Sequence, residues 1–296
     1  MQKQFWRKWI WLAALAGCFG GAWEAGGEEP AIRVERDVVY ERVGRVELRL
    51  NLALPGKGLG PFPAVVCIHG GGWYQGDRRD MDEMTELLAR RGYVAASVSY
   101  RLAPSARFPA QLEDCKAAVR WLRANAAKYR INPDCIGALG PSAGGHLACL
   151  LGVTGEQDEP TRANGEREPS SRVQAVVSFF GRTDFTRKTW PDELERKIFV
   201  PLIGASFEDQ PGLYRRISPI THVSRTAAPF LLFHGSEDKL VPPRDATDMA
   251  EKLRTAGVSA TSVIVEGAGH GSGDWIQKWA KPIEQAVAFF DEHLKR

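Results

Sequence analysis

Ser142 stands between two glycines, in Gly140-Pro141-Ser142-Ala143-Gly144. The apolar run 135–139 leads into it, and the helix-like stretch 146–151 follows. A serine at such a strand-to-helix join has the form of a nucleophile elbow. The sharp bend puts the serine in strained backbone geometry, which the flanking glycines tolerate because they carry no side chain to clash. The hydroxyl is thereby pushed out at the top of a sheet, beside a helix N-terminus that favours developing negative charge. The chemistry on offer is attack by an activated hydroxyl. A plain tight turn between strand and helix is the competing account.

Such a nucleophile needs an oxyanion site, a base and an acid. Upstream, the run 63–68 reads as a buried strand and ends in His69-Gly70-Gly71-Gly72-Trp73, whose glycines leave backbone N–H groups uncovered. The amides of Gly71, Gly72 and Ala143 are therefore the expected oxyanion donors, against the alternative of a merely flexible turn. The base must be one of six histidines. With an elbow serine the partners follow in chain order, acid and then histidine. His69 and His146 belong to the glycine loop and to the helix after the serine, and His234 ends the strand-like run 229–233. His222 lies before that strand, so no strand-end acid separates it from the serine. His293 falls in a charged C-terminal helix and is expected to be solvated. His270 remains, in the glycine-rich loop 267–273 after the strand-like run 261–265. The acid must follow the strand ending at His234, where Glu237 and Asp238 are both available. Asp238 is favoured, to hold the imidazole in one tautomer and stabilise the imidazolium; Glu237 better fits a solvated turn.

Several motifs agree in order. His69-Gly-Gly-Gly-Trp73, Ser99-Tyr100-Arg101-Leu102-Ala103-Pro104, Phe108-Pro109-Ala110, Ser142-Ala143-Gly144-Gly145-His146 and His234-Gly-x-x-Asp238-x-x-Val241-Pro242 resemble the α/β-hydrolases. Within them the chain is similar to the hormone-sensitive-lipase-like esterases, and more closely to the bifunctional feruloyl and acetyl-xylan esterase group. The resemblance runs from about residue 33 to the end. Two positions depart from the lipase-like pattern: Pro141 replaces the usual aspartate and His146 the usual asparagine, and both favour the second group. The resemblance implies a carboxylic-ester hydrolase with the triad Ser142, Asp238 and His270 and does not fix the substrate; acetyl or feruloyl esters of plant polysaccharide, or similar short or aryl esters, are the expectation, since a thin lid would leave room for ester branches. It implies no cofactor.

The rest of the chain is consistent with one catalytic unit over 32–296. Its 296 residues, 44 % hydrophobic, suffice for a single α/β domain with a sizeable core. Strand-like runs at 46–53, 64–68, 94–98, 173–179, 230–233 and 262–265 alternate with helical ones. The longest helix candidate, 110–128, spaces Leu112, Cys115, Ala118, Val119 and Leu122 at three- and four-residue steps. Such alternation predicts a mostly parallel sheet with helices on both faces.

Residues 1–18 read as a signal peptide. Lys3, Arg7 and Lys8 precede a short apolar stretch, 9–16, that is too short to span a bilayer comfortably. Leu15-Ala16-Gly17-Cys18 resembles a lipobox, which would place a lipid anchor on Cys18; cleavage after Ala22 and an uncleaved anchor are the alternatives. Residues 19–31 then form a short linker. The chain is accordingly expected to be an exported bacterial protein, periplasmic, lipid-anchored or secreted. The formal charge of +3 agrees with removal of this segment, which takes away three basic residues and leaves Lys plus Arg equal to Asp plus Glu at 36. No basic surface for nucleic acid is therefore expected. Cys67, Cys115, Cys135 and Cys149 fall on or beside core elements and are expected as buried thiols, although export would permit a disulfide. No C-x-x-C or H-E-x-x-H spacing suggests a metal site.

Lipase-like esterases carry an N-terminal helical cap, for which 19–31 is too short. The insertion 187–217 is the candidate for a small lid, with Trp190, Phe199 and Tyr214 lining the site; core packing explains those aromatics equally. The charged loop 155–171 is expected to be solvated. Two rival enzymes share the layout, a prolyl-oligopeptidase-like serine peptidase and an arylformamidase-like amide hydrolase, and a non-catalytic binding module on the same fold is a remote third.

Overall fold

The computed structural model describes residues 31–154, 168–271 and 275–295. The leader, Cys18 and most of the linker and of the charged loop lie outside the described residues. Eight strands form one sheet: β1 (Ile32–Val43), β2 (Val46–Pro55), β3 (Phe62–Ile68), β4 (Val94–Val98), β5 (Ile131–Pro141), β6 (Ala175–Phe179), β7 (Phe230–Gly235) and β8 (Ala260–Val265). Their spatial order is β1-β2-β4-β3-β5-β6-β7-β8. β1, β2 and β4 pair antiparallel, and every pairing from β4 through β3 to β8 is parallel.

The central strands are continuous apolar runs because both faces are covered. On β3, Val66 and Ile68 join one buried cluster while Val65 and Cys67 join the other. Helices α1 (Asp82–Arg90) and α9 (Trp275–Leu294) cover one face through Leu88, Val287 and Phe290. On the other lie α2 (Ala110–Ala124), the short α3 (Ala126–Tyr129), α4 (Ala143–Thr154) and α8 (Arg244–Thr255), through Val119, Tyr129, Leu151 and Met249. Each fully buried aliphatic or aromatic side chain contributes about 1.5–3 kcal/mol. Helix α4 is buried all round, which is why its sequence shows no polar face. The insertion after β6 carries α5 (Asp192–Leu194), a π-helical turn from Glu195 to Phe199, α6 (Val200–Ile203) and α7 (Pro211–Ile217).

Two expectations need correction. The helix expected over 110–128 breaks at Asn125, whose side-chain amide donates to the Trp121 carbonyl at 2.8 Å and competes with helix continuation. The first strand begins at Ile32, ahead of the run expected at 46–53. Its charged residues, Arg33, Glu35, Arg36, Asp37, Glu41 and Arg42, suit an exposed sheet edge, and its register shifts twice.

Candidate active site

The ends of β3, β5, β7 and β8 open on one edge of the sheet, outside the carboxyl ends of parallel strands where α/β folds place their ligands. At the end of β5, Ser142 adopts φ 53°, the left-handed region that a serine rarely occupies. Its N–H donates to Phe179 O at 2.8 Å, and its carbonyl accepts the first helical bond of α4 from His146 N at 3.0 Å. The flanking glycines permit two backbones to touch. A Cβ on Gly144 would lie 2.0 Å from Ile68 O, and one on Gly140 would lie 2.4 Å from the Gly144 carbonyl carbon.

Residues 142, 238 and 270 converge. Ser142 Oγ lies 2.8 Å from His270 Nε2, and His270 Nδ1 lies 2.7 Å from Asp238 Oδ2. Oδ1 of Asp238 accepts from the amides of Leu240 and Val241, each at 2.9 Å. His234 completes the set. Its Nε2 lies 2.9 Å from Val241 O and 3.1 Å from Asp238 Oδ2. A carbonyl can only accept, so Nε2 carries the proton and His234 also donates to the acid. Burial alone would raise the Asp238 pKa. The bonds from His234 and His270, the attraction of His270 and the Val241 amide outweigh it, so the carboxyl lies well below the usual range. Glu237, by contrast, is exposed.

The glycine loop after β3 packs against the elbow. A Cβ on Gly70 would meet Pro141 O at 3.1 Å. Gly71 has φ 105°, and its carbonyl accepts from Tyr74 and Gln75 in a tight turn; a Cβ there would lie 2.2 Å from Gln75 O. Gly71, Gly72 and Ala143 line one cavity with Ser142 and His270. Trp73 Nε1 donates to His146 Nδ1 at 3.1 Å, and His146 Nε2 donates to Ile217 O at 2.8 Å. His146 is fully buried, and that burial pushes its pKa down to about 4, so the ring is neutral at neutral pH. His69 is also buried; its Nδ1 donates to Gly70 O at 2.7 Å and its ring stacks on Tyr100.

The cavity encloses about 430 Å³. Leu194, Ile198 and Phe199 from the insertion and Val241 from the acid loop form an apolar wall. Of the three aromatics expected to line it, Phe199 does. Trp190 and Tyr214 instead pack in the insertion's own core, with their rings stacked 5.8 Å apart and both bonded to the buried carboxylate of Glu195. His293, expected to be solvated, is half-buried against Phe289 with ring centroids 4.5 Å apart. Cys67, Cys115 and Cys149 are buried thiols, and Cys135 is a partly exposed one; none of the four is in a disulfide.

Three contributors escaped the sequence reading. His234 reads as the end of a strand, and its place in His-Gly-x-x-Asp is the signal that links it to the acid. Arg182 is buried on the cavity wall; it donates to Thr189 Oγ1 at 3.1 Å and to Leu240 O at 3.0 Å, tying the insertion to the acid loop. Glu195 gives no local signal at all.

Comparison with known proteins places the chain in a family. The family model described as BD-FAE matches residues 50–253. Esterase LipC of Mycobacterium tuberculosis is 33 % identical over 80 % of this chain. The chain spans little more than half of its curated relatives, 59 % of LipC and 56 % of LipM from the same organism. Among solved structures, a truncated carbohydrate esterase from gut microbiota superposes with a TM-score of 0.73 at 26 % identity, covering 91 % of this chain and 99 % of that one. Esterase Est2 of the Planctomycetes species Thermogutta terrifontis gives a TM-score of 0.72 at 28 % identity, covering 89 % and 92 %. With the fold, the family match and these relatives in agreement, the chain belongs to the BD-FAE family of α/β-hydrolases.

Proposed function

We propose that this protein is a serine carboxylesterase that works through an acyl-enzyme. Its substrates on this reading are acetyl or feruloyl esters of plant polysaccharide, or similar short and aryl esters. The observation that carries the reading is the continuous line of hydrogen bonds from Ser142 Oγ through His270 to Asp238, opening on a cavity with one apolar wall. His270 Nε2 accepts the serine proton as Oγ attacks the ester carbonyl. Nδ1 keeps its proton and its bond to Asp238, which stabilises the imidazolium without being protonated. The amides of Gly71, Gly72 and Ala143 receive the tetrahedral oxyanion, each worth about 3 kcal/mol of barrier. The imidazolium then protonates the departing alcohol, and the neutral ring activates a water that releases the acid.

The relatives support the class: LipC is an esterase and LipM a probable carboxylic ester hydrolase. Est2 was captured with butyrate and with propionate and is phosphonylated by sarin, which supports small acyl groups and a reactive centre of this kind. The gut carbohydrate esterase supports a sugar-linked ester. A panel of nitrophenyl, acetyl-sugar and feruloyl esters, run beside a peptide and a formamide, tests the reading. Ester turnover is the expected result; turnover of the amides alone would overturn it. We further infer export, with a lipid on Cys18, from the composition of residues 1–18. Radiolabelled palmitate incorporated by the natural chain and lost in Cys18→Ala would agree; equal labelling of both, or of neither, would not.

A further inference from the structure

The part of the cavity wall that meets the apolar insertion near Ile198 is different in kind. Three residues following the oxyanion loop, Tyr74, Gln75 and Asp80, are exposed and line the same cavity as Ser142. Tyr74 is 44 % exposed, one of the few large apolar side chains so placed among the described residues. An exposed aromatic on its own needs no explanation, but this ring has been put where it is. The turn closed by Gly71 O folds residue 74 back, so that its Cε1 lies 2.8 Å from where a Cβ on Gly72 would stand. Trp73 holds φ 63° to achieve this, a left-handed conformation costly for a large side chain. The ring therefore lies beside Gly72, at the edge of the cavity and half in water.

We infer that Tyr74, Gln75 and Asp80 form a subsite for the alcohol half of the ester, and that this alcohol is a sugar ring. The inference rests on the esterase reading above and names what that esterase would hold. A pyranose presents an apolar C–H face and an equatorial rim of hydroxyls. A half-wet tyrosine face suits the first, since an aromatic ring serves well where one side is apolar and the other is wet. An amide and a carboxylate on the same rim suit the second. Oδ2 of Asp80 is engaged by the Asp77 amide at 2.8 Å, which fixes the carboxylate and leaves Oδ1 for a hydroxyl. A purely aryl or lipid alcohol would find no use for the two polar neighbours. The acyl group then falls to the apolar residues Leu194, Ile198 and Phe199, against which a small apolar group desolvates well.

The test compares two esters of the same acid, an O-acetylated xylo-oligosaccharide and p-nitrophenyl acetate. Both deliver one acetyl group to the same acyl-enzyme, so only the alcohol differs. In Tyr74→Ala the ratio of kcat/KM for the sugar ester to that for the nitrophenyl ester should fall about tenfold, through KM for the sugar ester. Tyr74→Trp should restore the ratio, and Gln75→Ala should lower it by a few fold. Equal losses on both esters would mean that Tyr74 only supports Gly72, and no loss would mean that the ring is not a platform; either overturns the subsite. A natural chain that hydrolyses nitrophenyl acetate but neither this nor any other sugar acetate overturns the subsite and the sugar-ester substrate together. Failure on every ester overturns the esterase itself.

Discussion

The indole nitrogen of Trp73 donates to Nδ1 of His146, 3.1 Å away, so the loop expected to hold the oxyanion is bonded to the helix that starts directly after Ser142. Because Nδ1 accepts, the ring's proton sits on Nε2, which donates in turn to Ile217 O at the end of the insertion. One neutral imidazole thus joins the glycine loop, the elbow helix and the lid-like insertion.

His146→Leu should leave the Trp73 N–H and the Ile217 carbonyl unpaired in a dry interior, at a cost of about 1–3 kcal/mol for each. A lower Tm together with a fall in kcat larger than any rise in KM is the expected pattern. A variant with natural stability and kcat would show that the bond positions nothing.

The same residue makes a pH prediction. Its folded pKa, about 4, lies below the ordinary 6.5, so the unfolded chain binds a proton that the folded chain refuses. Stability from this group is complete above pH 6.5 and declines as the pH falls toward 4, by up to about 3 kcal/mol in total. Urea unfolding at pH 7 and pH 4.5 should show this decline in the natural chain and a shallower one in His146→Gln. Identical slopes would contradict it.

His234 should matter to the acid without touching substrate. His234→Leu removes a donor from Asp238 Oδ2 and the partner of Val241 O, loosening the carboxylate that orients His270. A loss of about 1 kcal/mol, near fivefold in kcat with KM little changed, is expected. His234→Gln, which keeps an N–H in the same region, should recover part of it. Steady-state kinetics of both variants decide the matter, and a change confined to KM would point elsewhere.

The elbow glycines make a contrast with an open one. Gly144→Ala places a methyl 2.0 Å from Ile68 O, where backbone must move, and should cost more than about 3 kcal/mol or abolish soluble expression. Gly212→Ala, in α7 with open space around it, should be neutral or stabilising by up to about 1 kcal/mol. Thermal unfolding of the pair checks the sign of each.

Much of the site was legible in the chain because its parts carry local signatures. The glycines around Ser142, the glycines before Trp73 and the loops after β7 and β8 each mark a strand end, and strand ends of a parallel sheet share one edge. Asp238 could be preferred to Glu237 from its motif, and the structure separates them by burial. What stayed hidden depends on contacts far apart in sequence. Nothing near Glu195 announces that it will bind Trp190 and Tyr214, so those aromatics read equally as lid or core. Charged β1 has no continuous apolar run, because an edge strand with a wet face needs none.

The acid can be tested by itself. Asp238→Asn should lower turnover on the order of 10⁴-fold by upsetting the His270 tautomer, whereas exposed Glu237→Gln should leave it within a few fold. The reverse ranking would reassign the acid.

The central claim is that the Ser142 hydroxyl, activated by His270, is the group that attacks. Reaction with a fluorophosphonate followed by peptide mass spectrometry tests it most directly, with nitrophenyl acetate turnover measured in parallel. The account predicts a single adduct on Ser142, absent in Ser142→Ala, which should keep the natural Tm and lose activity on the order of 10⁶-fold. An adduct on another residue, or a Ser142→Ala protein that still turns over ester, would contradict it.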